Sequence, residues 1–152
     1  ASPWLIRNSR SISCSSTARA SSPPAASSST PRPNQARSRK LAASSAGAVR
    51  YLSYGKSGEG RDLPLLIAAS DGAFTPELAR KQGKAVVLIQ AGIHAGEIDG
   101  KDAGLALFRD IAITRTKAAL LKNVVILFEV IYNVDGHENS NPYMRINQNG
   151  PD

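Results

Sequence analysis

A histidine and a glutamate stand three residues apart at His94 and Glu97, flanked by Gly92 and Gly96. An imidazole nitrogen and a carboxylate oxygen are both good zinc donors, and glycines let a chain turn tightly enough to bring such a pair together. A catalytic zinc needs one more protein ligand and an open position for water. The same residues also suit a plain helix start, with Glu97 and Asp99 placed favourably against the helix dipole. The His-x-x-Glu spacing alone does not separate these readings. Further along, Asn133-Val134-Asp135-Gly136-His137-Glu138 leads to Tyr143-Met144-Arg145 and then Ile146-Asn147-Gln148-Asn149-Gly150. Arg145 offers a guanidinium fork that fits a carboxylate or an oxyanion. An ordinary turn with an exposed arginine accounts for the same residues.

Both groups follow apolar runs, which is where an α/β sheet places its sites. Ala85 to Ala91 is almost entirely apolar and predicts a central strand covered on both faces. Val124 to Tyr132 predicts another buried strand, broken by Asn133-Val134-Asp135-Gly136, with loop from there to Asp152. Upstream, Arg50 to Tyr54 alternates and Leu63 to Ala69 is apolar, joined by the glycine-rich turn Gly55 to Gly60, which predicts an antiparallel hairpin. Thr75-Pro76 predicts a helix cap and first turn for a short helix through Lys81. Asp99 to about Ile113 has an apolar helical face in Ala103, Leu105, Ala106, Leu107, Phe108 and Ile111, and Arg115 to Lys122 continues helically. The order β-β-α-β-α-β predicts an α/β fold with a mixed β-sheet flanked by helices.

The chain has 152 residues and a net charge of +7. Of its 19 basic residues, eight lie within residues 1–50, which hold no Asp or Glu; the other 11 face all 12 acids, leaving that part at −1. The basic third is rich in Ser, Ala, Pro and Arg and lacks apolar periodicity beyond Trp4-Leu5-Ile6. Such a stretch cannot offset chain entropy of about 1–2 kcal/mol per residue by burial. Residues 1–48 are therefore expected to be a disordered leader, and residues 49–152 the folded part. The leader's composition suits a transit-type peptide, a flexible extension, or sequence that is not native coding sequence. Without interleaved aromatics its charge does not describe a nucleic-acid arm. No run reaches the roughly 18 apolar residues of a membrane-spanning helix. The single cysteine, Cys14, excludes an internal disulfide framework and a cysteine zinc cluster. Gly55-Lys56-Ser57 is not a phosphate loop, because a strand rather than a helix follows it. The missing initiator Met and the stop after Asn-Gly-Pro lead us to expect a fragment.

Four segments occur in order: Gly58-Glu59-Gly60-Arg61-Asp62-Leu63-Pro64, Ala91-Gly92-Ile93-His94-Ala95-Gly96-Glu97, Tyr132-Asn133-Val134-Asp135-Gly136 and Arg145-Ile146-Asn147-Gln148-Asn149-Gly150. As an ordered set they resemble the N-terminal half of the zinc carboxypeptidase family, the carboxypeptidase A-like metallopeptidases. The resemblance runs from about Val49 to Asp152. It implies a zinc carboxypeptidase-like fold, incomplete here, and a Zn2+ cofactor held by His94 and Glu97 as the first two metal ligands. It matches Arg145 to the arginine that polarises the scissile carbonyl and stabilises the oxyanion. The Asn133 to Gly136 segment matches a structural loop. The implied substrate is a peptide or protein C-terminus, with no nucleic-acid or membrane partner, and a secreted or periplasmic setting. In the family the third ligand, a histidine, and the general-base glutamate lie further downstream, and neither is in this chain. His137 directly follows the Asp-Gly turn and matches no ligand position; Glu129 lies within an apolar strand and is not a candidate base. The expected function is that of a zinc-dependent metallocarboxypeptidase, present as a truncated and inactive fragment. The alternatives are an aspartoacylase-like zinc deacylase of N-acyl amino acids and a non-catalytic fragment or pseudo-enzyme.

Overall fold

A computed structural model describes residues 33–139. The elements run α1 (Pro33–Ala43), β1 (Val49–Lys56), β2 (Asp62–Ala68), α2 (Pro76–Lys81), β3 (Ala85–Gln90), α3 (Asp99–Ala112), a 3-10 turn (Ala118–Lys122), β4 (Val124–Glu129) and α4 (Val134–Glu138). The four strands form one mixed sheet in the order β1-β2-β4-β3. β1 and β2 are antiparallel, β2 and β4 are antiparallel, and β3 and β4 are parallel. This is the α/β architecture that the order of apolar runs predicts. Among the described residues no helix is long and apolar enough to cross a membrane.

Strand alternation sends one set of side chains to each face of the sheet. On one face Leu66, Ala68, Ile126 and Phe128 pack with Phe108 and Ile111 of α3, and Leu41 and Ala42 of α1 close the edge. The Phe108 and Phe128 rings lie 5.5 Å apart and tilted. Gly104 makes this approach possible, since a Cβ there would overlap the Phe128 ring. On the other face Leu65, Ile67 and Val125 pack with Ala69, Ala73, Phe74 and Ala79. The short α2 opens as expected, with Thr75 Oγ1 accepting from the Leu78 amide at 3.3 Å and Pro76 in the first turn.

The structure corrects four expectations. Residues 1–32 of the expected disordered leader lie outside the described residues, but residues 33–43 of that expected leader form α1, ahead of Val49. α1 docks through small and polar side chains. Ser38 and Ser45 are buried, Ser45 Oγ accepts from the Val49 amide at 3.0 Å, and Arg39 lies 4.4 Å over the Tyr51 ring. These contacts need no apolar stripe, which is why periodicity does not reveal the helix. Among the described residues β3, expected in the centre, lies at the edge of the sheet, with Val86, Val87 and Leu88 41–55% exposed. The helical stretch after α3 is interrupted: Arg115 takes a left-handed φ of 61°, and a separate 3-10 turn follows. Finally, the break after β4 contains a short helix, α4, capped by the Asn133 side chain, which accepts from the Gly136 amide at 2.9 Å.

Candidate functional site

β3 delivers its chain end to Gly92, which takes a left-handed φ of 61°. A side chain there would also press on Ile131, with a Cβ only 3.3 Å from Ile131 Cγ2. Glycine thus meets both demands, and the chain turns out of the strand before α3 begins at Asp99. Within that turn His94 Nδ1 lies 2.8 Å from Glu97 Oε1, and the His94 amide donates to Glu97 Oε2 at 3.1 Å. The Glu97 amide donates back to the His94 carbonyl at 3.2 Å. Both side chains are open to solvent, His94 at 53% and Glu97 at 41% exposed.

This geometry bears on the two sequence readings of the pair. The residue preceding α3, Ile98, makes no side-chain cap, and the Glu97 carboxylate turns back to His94. A tetrahedral zinc with donors at about 2.0–2.2 Å would separate the two donor atoms by about 3.3 Å. The observed 2.8 Å needs only a small opening of two exposed side chains to reach that span. The donor types suit zinc, and in the structure the two side chains are hydrogen-bonded to each other. Among the described residues no third His, Cys, Asp or Glu joins them. Arg145 lies outside the described residues.

The loop after β4 runs alongside. The Tyr132 amide donates to the Ala91 carbonyl at 2.8 Å and the Asn133 amide to the Gly92 carbonyl at 2.9 Å, which extends the β3–β4 pairing into the two loops. Asp135 is held from the β1–β2 turn. Its Oδ1 accepts from Ser57 Oγ at 2.7 Å and Arg61 Nη1 at 2.6 Å, and its Oδ2 accepts from the Glu59 amide at 3.1 Å. Arg61 also pairs with Glu59, and Asn139 Nδ2 donates to Glu59 Oε1 at 2.8 Å. Burial pushes the Asp135 carboxyl up, but the bonds from Ser57, Arg61 and Glu59 outweigh it and hold it below the usual carboxylate value. The segment expected to be structural is so, and its partner is the Glu59-Gly60-Arg61 turn. Sequence reasoning quoted Arg61 but assigned it no role; the contact spans 74 residues and leaves no local pattern.

His137 and Glu129 are occupied elsewhere. His137 Nε2 lies 3.1 Å from Asn34 Nδ2 of α1. Glu129 is half-buried at the end of β4 and accepts from Gln90 Nε2 at 2.6 Å. Nearby, burial and then the charge of Glu129 push the Tyr54 hydroxyl up to about 12, so it stays protonated.

The family model described as zinc carboxypeptidase matches residues 35–151. No match was found among curated proteins. Three solved structures share the fold. Carboxypeptidase A from Helicoverpa armigera is 24% identical with a TM-score of 0.55, covering 66% of this chain and 23% of that one. A metallo-carboxypeptidase from Burkholderia cenocepacia is 23% identical with a TM-score of 0.54, covering 67% and 26%. Bovine thrombin-activatable fibrinolysis inhibitor, solved with a tick carboxypeptidase inhibitor, is 21% identical with a TM-score of 0.54, covering 68% and 30%. The match thus spans less than a third of the length of each of these structures.

Proposed function

The chain belongs to the zinc carboxypeptidase family, and from that premise we propose that His94 and Glu97 form the first part of a zinc site for hydrolysis at peptide C-termini. The observation that carries the reading is the 2.8 Å approach of His94 Nδ1 to Glu97 Oε1 at the carboxyl end of β3. A bound Zn2+ would supply Lewis-acid polarisation of a carbonyl and acidify its water towards a pKa of about 7. The residues of this chain prepare for that. Gly92 turns the backbone, the Glu97 carboxylate accepts from the His94 amide, and the same carboxylate orients the imidazole. The exposure of both side chains leaves an approach for a metal and a peptide end. Arg145 takes the role of stabilising the oxyanion through its guanidinium donors.

On this reading the 152-residue chain carries two of three protein ligands and no general base. Its own zinc affinity is then weak and its hydrolysis negligible. Isothermal titration with ZnCl2 tests the pair: weak binding that His94→Ala and Glu97→Ala each abolish supports it. Binding that is unchanged in both variants overturns it.

A further inference from the structure

The His94 turn is not held by its own residues alone. The backbone bonds from Tyr132 to Ala91 and from Asn133 to Gly92 lash its entry to the loop after β4. Those bonds fix the direction of the chain two residues before His94. The loop that donates them is in turn anchored at Asp135, two residues beyond Asn133. Three donors converge on that carboxylate: Ser57 Oγ, Arg61 Nη1 and the Glu59 amide. The Arg61 side chain is only 18% exposed and that of Asp135 only 23%. A pair this screened from water is worth more than a surface ion pair and gives a defined geometry.

We propose that Arg61 and Asp135 are positioning residues for the His94–Glu97 turn. The brace sets the loop after β4, the loop sets the Ala91 and Gly92 carbonyls, and these set the direction in which Gly92 sends His94. The inference rests on the reading of His94 and Glu97 as metal ligands, but its mechanical part is measurable without any metal. A purely structural brace would loosen the whole sheet when broken. A positioning brace loosens the two loops and leaves β2 and the centre of β4 in place, because those are held by the core on both faces.

Amide hydrogen exchange by NMR on the 152-residue chain, wild type against Asp135→Asn, decides between them. The substitution puts an NH2 where the Glu59 amide or Arg61 donates. We expect the Tyr132, Asn133 and His94 amides to exchange about tenfold faster while the Leu66 and Phe128 amides stay unchanged. Arg61→Lys keeps the charge but loses the planar fork, and should give a partial effect. If Asp135→Asn does not fold, Ser57→Ala removes one bond to the same carboxylate, along with the acceptor of the Arg61 amide, and should give the same pattern at smaller size. Zinc titration provides the second readout: Asp135→Asn should weaken binding about threefold or more. Exchange that rises uniformly along the chain, or loop amides that do not respond, overturns the positioning role. Zinc binding that ignores His94→Ala would instead overturn the metal reading and leave the exchange result to decide the brace.

Discussion

β2 and β3 are two strands of nearly the same character placed in opposite circumstances. β2 reads Asp62-Leu63-Pro64-Leu65-Leu66-Ile67-Ala68, and every residue from Pro64 to Ala68 is buried. β3 reads Ala85-Val86-Val87-Leu88-Ile89-Gln90, and all but Ile89 are exposed. Both are short, apolar and free of charge in the middle. What separates them is sheet order: β2 has a neighbour on each side and helices over both faces, while among the described residues β3 pairs with β4 alone. An apolar run therefore predicts a strand, but its burial is set by which segments come to lie beside it. The difference also explains why the site is open: the turn bearing His94 leaves the exposed strand, and the braced loop leaves the buried one's partner.

The comparison can be broken by substitution. Leu66→Ala should cost about 2–5 kcal/mol in urea unfolding, since it empties a fully enclosed site; a cost under about 1 kcal/mol would mean β2 is not the core strand. Gly104→Ala should cost about 1–3 kcal/mol despite alanine's better helix propensity, because the added methyl meets the Phe128 ring. A gain in stability would place α3 further from β4 than described.

Acid should act on the brace that flanks β2. Asp135 titrates below its usual 3.8 in the folded chain, so its contribution is whole above that value. It is lost as pH falls from 3.8 through the folded value, where the carboxylate takes up a proton and its bonds from Ser57 and Arg61 weaken. Stability measured from pH 6 downward should therefore fall less steeply below 3.8 in Asp135→Asn than in the wild type. Identical acid limbs would contradict the brace. The smallest effect belongs to the edge: Leu88→Lys should change stability by no more than about 0.5 kcal/mol. It should also reduce self-association, since a charge blunts an open strand edge. A loss as large as that of Leu66→Ala would show that β3 is covered after all.

Much of the fold was legible because its signals are local. Period-two alternation marks β1, the apolar runs mark β2, β3 and β4, and Thr75-Pro76 marks the start of α2. The mixed sheet follows from the short β1–β2 link and the helical crossover between β3 and β4. The edge position of β3 was not legible, because strand order depends on contacts distant in sequence. Nor was α1, which packs through Ser38, Ser45, Leu41 and the Arg39–Tyr51 contact instead of an apolar stripe. At the site, the three-residue spacing and Gly92 sufficed to bring His94 and Glu97 together. The role of Arg61 was hidden by its 74-residue distance from Asp135.

The central claim is that His94 and Glu97 act together on a metal. Histidine side-chain nitrogen NMR with added ZnCl2 tests it most directly, because the chain has two histidines. The account predicts that the ring nitrogen of His94 shifts, that His137 stays unchanged, and that Glu97→Ala removes the shift. A shift confined to His137, or one at His94 that persists in Glu97→Ala at the same zinc concentration, would contradict it.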